Sequence, residues 1–247
     1  MYIDTHCHLD SKECENVEEV IKNVGDNIII VSGYDDQSNK EVIELIEKYP
    51  NVYGTIGIHP SEVKNSDLNI IEKYVNHPKI VGIGEIGLDY HYGKEYKELQ
   101  KEVFVKQIEI ARKNNKPVVI HSRDAAEDTV NIIKENSDIK YVMHCYSYSL
   151  EIAECLLKYN VKFGIGGVLT FKNSKELKRV VENISLEHLL LETDSPLLSP
   201  EPYRGQKNEP KNVILVANKI AEIKNIPFEE VLNITTKNAL NLYNINV

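Results

Sequence analysis

The chain opens with Met1-Tyr2-Ile3-Asp4-Thr5-His6-Cys7-His8-Leu9-Asp10. An apolar start running into His-x-His reads as a short strand with polar groups at its C-terminal end. Side chains two apart on a strand point the same way, so Asp4, His6 and His8 share one face. Two imidazoles held side by side make half of a metal site, and imidazole suits zinc, iron, manganese or nickel. The plain alternative is a pair of exposed histidines near a terminus. No Gly-x-Gly-x-x-Gly follows this strand, which weakens a dinucleotide-binding reading.

Working outward, seven further apolar, β-branched runs follow at residues 28–32, 52–57, 80–84, 118–121, 141–144, 161–165 and 189–192. With residues 2–6 they make eight strands. Most are apolar on both faces, as parallel strands covered by helices are. Helical stretches separate them at 15–24, 36–49, 66–76, 94–114, 125–135, 150–159, 174–183 and 212–224, and a last runs over 227–242. Ser66, Ser149 and Ser174 stand as N-caps, and Pro227 opens the final helix. No Gly/Ser linker or internal repeat interrupts the alternation. The expected fold is α/β, a (β/α)8 TIM barrel forming a single domain over residues 1–247; a doubly wound open sheet has a similar pattern.

Composition agrees. The 247 residues are 42% hydrophobic and 27% charged, as in soluble globular proteins. No apolar run reaches the roughly 18 residues of a spanning helix, and no basic-then-apolar leader is present. A cytoplasmic monomer with no membrane partner is expected. Cys7, Cys14, Cys145 and Cys155 form no Cys-x-x-Cys and suggest no disulfide framework. Cys7 and Cys145, each beside a histidine, are expected on the opposite strand face, in packing. The net charge of −9 argues against broad wrapping of nucleic acid. It leaves room for one strand end held by metals and a few cations.

In such a barrel the C-terminal strand ends build the site. They carry His6 and His8, His59 after strand three, Glu85 after strand four, His121, His144 and Asp194. His6, His8, Glu85, His121, His144 and Asp194 offer four imidazoles and two carboxylates. Six protein ligands are too many for one catalytic ion and suit two. Glu85 can bridge ions about 3.5–4 Å apart. His6, His8 and Asp194 then share the first ion, and His121 and His144 the second. Asp194 is the expected general base, and Asp4 is either a partner that orients the histidines or a polar residue near the barrel floor.

These residues stand in a wider ordered set. Asp4-Thr5-His6-Cys7-His8-Leu9-Asp10, Gly57-Ile58-His59-Pro60, Gly84-Glu85-Ile86-Gly87-Leu88-Asp89-Tyr90, Pro117-Val118-Val119-Ile120-His121-Ser122-Arg123-Asp124-Ala125, His144-Cys145-Tyr146-Ser147 and Leu191-Glu192-Thr193-Asp194-Ser195-Pro196 precede Pro202-Tyr203-Arg204-Gly205-Gln206-Lys207-Asn208-Glu209-Pro210. Over its whole length the chain resembles the TatD family of metal-dependent deoxyribonucleases in the amidohydrolase superfamily. The resemblance implies a divalent-metal TIM barrel hydrolysing DNA phosphodiesters, often from the 3′ end. It implies His6, His8, Glu85, His121, His144 and Asp194 as metal ligands, His59 at the substrate phosphate and Arg204 in a loop over the site. Tyr148 and Ser61 depart from the common pattern, and Tyr148 is expected to narrow or reshape its loop. With glutamate on strand four, no carbamylated-lysine bridge is expected.

Around the opening, Arg123 and Lys207 can add charge, and Tyr90, Tyr146 and Tyr203 either offer stacking surfaces or pack as amphipathic rings at loop edges. The expected function is a two-metal (Mg, Mn or Zn) 3′–5′ exodeoxyribonuclease in which Glu85 and Asp194 are catalytic and single-stranded DNA or a 3′ end is the substrate. The alternatives are a small-molecule amidohydrolase or lactonase on the same centre, and a barrel that keeps its metal only for stability or partner binding.

Overall fold

The computed structural model describes residues 1–12, 14–65 and 67–246. Its strands are β1 (Ile3–Cys7), β2 (Ile28–Ser32), β3 (Val52–Ile56), β4 (Ile80–Asp89), β5 (Val118–Arg123), β6 (Tyr141–Met143), β7 (Val161–Ile165) and β8 (Leu189–Leu191). Between and after them lie α1 (Val17–Val24), α2 (Asp36–Lys48), α3 (Asn69–Tyr74), α4 (Lys97–Lys113), α5 (Ala126–Glu135), α6 (Leu150–Leu156), α7 (Lys175–Asn183), α8 (Val213–Lys224) and α9 (Phe228–Tyr243).

The strands form one parallel sheet in chain order from β1 to β8. The ends meet. Thr5 Oγ1 donates to the Leu191 carbonyl at 2.9 Å, Asp194 N donates to the His6 carbonyl at 3.0 Å, and His8 N to the Ser195 carbonyl at 2.7 Å. The sheet is a nearly closed barrel, and the open-sheet alternative falls.

Burial on both faces explains the unbroken apolar runs. Ile29 and Val31 of β2 point outward into the core shared with the helices. Ile28 and Ile30 point inward and pack with Ile3, Val81, Val119, Val142 and Leu190. Ala239, Leu242 and Tyr243 of α9 join this inner cluster and plug the N-terminal end of the barrel. The polar strand ends therefore collect at the other mouth. Phe104 and Ile108 of α4, which packs on β4, are wholly buried; each such side chain contributes about 1.5–3 kcal/mol.

Caps set the helix starts. Asn16 accepts from Glu19 N, Asp35 and Ser38 form a capping box, and Ser149 accepts from Ile152 N. Ser174 precedes α7 but does not cap it; its hydroxyl donates back to the carbonyls of Leu169 and Phe171. The cap expected at Ser66 lies outside the described residues.

The main departure is β4, which runs on to Asp89. Its pairing with β5 shifts register between Ile83 and Ile86, then continues from Gly87↔His121 to Asp89↔Arg123. Gly87 permits this. It has φ +140°, and a Cβ there would collide with the His121 carbonyl oxygen. Glu85 therefore lies inside a strand and not after it, and Asp89 is carried to the barrel mouth.

Candidate metal centre

Cys7 and Leu9 pack in the outer core, so His6 and His8 turn inward. Their Nε2 atoms lie 3.1 Å apart. One residue at the end of β2 orients both rings. Ser32 Oγ is 3.1 Å from His6 Nδ1, and the Ser32 carbonyl accepts from His8 Nδ1 at 2.9 Å. Asp4 does not touch either imidazole. It accepts from the His6 amide at 3.3 Å, the Thr193 amide at 2.9 Å and Thr193 Oγ1 at 2.5 Å. It ties the segment after β8 to β1 and so places Asp194, two residues from Glu192.

Glu85 stands at the middle. Its Oε2 is 3.4 Å from His6 Nε2 and 3.5 Å from His8 Nε2. Its Oε1 is 2.9 Å from His121 Nδ1, and 3.7 Å from both His144 Nε2 and His59 Nε2. Asp194 Oδ1 lies 3.5 Å from His8 Nε2, 3.8 Å from His6 Nε2 and 3.7 Å from His144 Nε2. The six expected ligands thus converge, with the His144 ring stacked 3.6 Å from that of His6. Among the described residues four triads have ligand atoms close enough for one cation: His6/His8/Asp194, His6/Glu85/His144, His59/Glu85/His121 and His144/Cys145/Glu192.

The TatD-related DNase family model matches residues 3–244. The chain belongs to this family. A metal-dependent hydrolase of Bacillus subtilis, YabD, is 44% identical over 255 residues, covering 100% of both chains. A metal-dependent hydrolase of Methanocaldococcus jannaschii is 40% identical, covering 98% of this chain and 96% of the relative. The crystal structure of YjjV, a TatD homologue of Escherichia coli, superposes with a TM-score of 0.93 at 28% identity, covering 99% and 98% of the two chains. This TatD-family chain is a metal-dependent hydrolase, and its His/Glu/Asp cluster is able to hold metal.

Electrostatics fit a cation. Burial opposes charge on His8 and His144. Asp194 and Glu85 overcome it at His8, which is pushed up to about 9, and Glu192, Glu85 and Asp194 at His144, which reaches about 10. Burial would raise Glu85 and Asp194, yet His144 above all holds both carboxyls below their usual range. His6 is pushed down by burial and by His144. Imidazole nitrogen and carboxylate oxygen in this mixture suit zinc or manganese, and the carboxylates suit magnesium.

Two carboxylates that carry no role in the sequence reading fix the second pair of rings. Asp89 Oδ2 accepts from His121 Nε2 at 3.0 Å, which turns Nδ1 toward Glu85. Asp89 is itself held by the amides of His91 and Tyr92. Glu192, fully buried, lies 3.1 Å from His144 Nδ1 and accepts from Cys145 N at 2.6 Å. Such outer carboxylates set ligand orientation, and losing one typically costs about 10–100-fold in metal affinity. Asp89→Ala is therefore expected to weaken metal binding by about that factor. Calorimetric titration giving wild-type affinity would show the bond to be idle. Asp89 sits four residues beyond Glu85, and an unbroken strand through the glycines would have put both on one face.

A cavity of about 550 Å³ opens over the centre. His59 lines it. Ser61 N donates to His59 Nδ1 at 3.1 Å, which leaves the proton on Nε2, facing inward. Burial and His121 push His59 down to about 3, so it is a neutral donor. Cys145 lies beyond β6 and lines the cavity, contrary to the expected packing role; burial pushes its thiol well up. Cys7 is buried as expected.

The expected surroundings change more. Arg204 does not line the cavity; its guanidinium stacks 4.3 Å from the Phe171 ring centre. Lys207 pairs with Glu15 at 2.7 Å in an exposed bridge. Tyr90 and Tyr146 are buried, their hydroxyls bonded to Asp128 and to the Ser149 carbonyl. Neither offers a stacking face, whereas Tyr203 stays 43% exposed. Tyr148 bonds Ser122 and the Ala125 amide and lies behind the wall, outside the opening.

Proposed function

We propose that this hydrolase cleaves phosphodiester bonds of DNA, releasing nucleotides from a 3′ end, with two divalent cations held by His6, His8, Glu85, His121, His144 and Asp194. The observation that carries the two-ion reading is Glu85, whose two oxygens face two different sets of imidazoles, His6 and His8 on one side and His121, His144 and His59 on the other. The family's DNase description supports the substrate class.

Bound divalent cations would lower the pKa of water and offset negative charge on phosphate oxygens. The chain supplies the rest. Asp194, kept ionised by His144, His8 and His6, takes the proton from the attacking water on a carboxylate oxygen. His59 Nε2–H donates to a non-bridging phosphate oxygen, and its neutrality lets it do so without competing for the Glu85 charge.

The test is hydrolysis of a labelled single-stranded oligonucleotide beside a panel of esters and amides. Cleavage of the oligonucleotide from its 3′ end is expected; turnover confined to the panel refutes the nuclease reading in favour of a small-molecule hydrolase. Chelation should abolish turnover, and added Mn²⁺, Zn²⁺ or Mg²⁺ should restore it. Elemental analysis of the active protein should find two equivalents per chain. Full activity at one equivalent would refute the bridged pair.

A further inference from the structure

Arg123 is the one lysine or arginine among the described residues that line the cavity. It ends β5, two residues beyond His121 and on the same face. Its main chain is fixed by register with Asp89 and by its carbonyl, which accepts from Tyr90 N at 2.9 Å. Its guanidinium carbon lies 5.0 Å from the ring centre of Tyr92, a side chain 73% exposed at the rim.

A guanidinium held over a ring still has its N–H fork to offer a planar anion. The carboxylates that would quench it are taken. Asp124 pairs with His91 at 3.0 Å and Asp89 with His121 at 3.0 Å. Nor does Arg123 ion-pair with Glu85 or Asp194, whose partners are the histidines described above. It therefore stands off from the reacting centre, at its edge. Pro196, Leu197 and Leu198 give the same cavity an apolar stretch of wall. One cationic fork beside the centre and one apolar shelf suit a ligand that carries a second anion next to the attacked group and a flat apolar body.

We propose that Arg123, steadied by Tyr92, anchors the phosphate adjacent to the scissile one, so that the site takes chains of at least two phosphates and discriminates against isolated diesters. Arg204, stacked outside the cavity, does not share this task. The inference rests on the phosphodiesterase reading and deepens it. Bidentate phosphate contact is the geometry that arginine supplies and lysine does not.

The experiment compares wild type, Arg123→Ala, Arg123→Lys and Arg204→Ala on two single-stranded oligonucleotides. One is all phosphate; in the other, the linkage beside the scissile one is a neutral methylphosphonate. On the all-phosphate substrate Arg123→Ala is expected to raise KM by about tenfold or more, with kcat within about threefold. Arg123→Lys should fall between the two. The salt slope of log(kcat/KM) should drop by about 0.7, the share of one single-strand phosphate. On the methylphosphonate substrate Arg123→Ala should cost little, and Arg204→Ala little on either. An equal penalty on both substrates, or none, overturns the anchor. Should the wild type cleave no oligonucleotide, the nuclease reading fails separately. The anchor is then read from calorimetric binding of inorganic pyrophosphate to the metal-loaded protein, where Arg123→Ala should weaken affinity about tenfold and unchanged affinity overturns the inference.

Discussion

Glu85→Gln is expected to lose turnover by on the order of 10²–10⁴-fold while circular dichroism and the main melting transition persist. Glutamine keeps the shape of the side chain and one carbonyl oxygen. It removes the charge shared between the imidazoles on either side, His6 and His8 at 3.4 and 3.5 Å and His121 at 2.9 Å. A neutral amide cannot offset two divalent cations, so the metal content of the variant should fall from two equivalents. The barrel itself should survive, because its cohesion comes from the inner plug around Ile30, Val119 and Tyr243 and the outer core around Phe104. Wild-type turnover in Glu85→Gln, with metal content verified, would rule out a bridging role.

The second large effect is at Asp194, where asparagine isolates the chemistry from the backbone. Asp194 has φ +55°, in the left-handed region, and asparagine is among the few residues that tolerate it. Its amide N–H to the His6 carbonyl, 3.0 Å long, also survives the change. The loss is confined to the carboxylate, and turnover should drop by about 10²–10⁴-fold, the usual worth of a positioned base. The acid limb of the pH–rate profile should change too. Protonation of Asp194 switches the base off in the parent, and the variant has no such group to protonate. A profile of the same shape and height as the parent's would remove Asp194 from the role of base.

Much of this molecule can be read along the chain. The β-branched runs mark eight strands because most are buried on both faces, and their shortness suits parallel strands. The histidines at the end of β1, within β5 and after β3 and β6 stand out because polar side chains are costly among such runs. Residues whose work depends on distant partners are harder to see. Ser32 looks like any strand-terminal serine, yet it bonds both His6 and His8. Asp4 shares a face with the histidines by alternation, but its oxygens go to Thr193, 189 positions away. Asp89 follows a glycine-rich stretch that reads as a loop and folds as strand.

The two arginines show the same divide. Sequence order places Arg204 in a loop beside the site, and a loop position says little about where a flexible cation points. Phe171 captures it outside the cavity, while Tyr92 holds Arg123 at the rim. The sequence by itself determined the short apolar runs and the His, Glu and Asp side chains at their ends, since periodicity and polarity are local properties. Only the tertiary structure decided that the sheet closes, which nitrogen of each ring faces Glu85, which carboxylates hold those rings, and which cation lines the cavity, because each of these depends on distances between segments that no local pattern encodes.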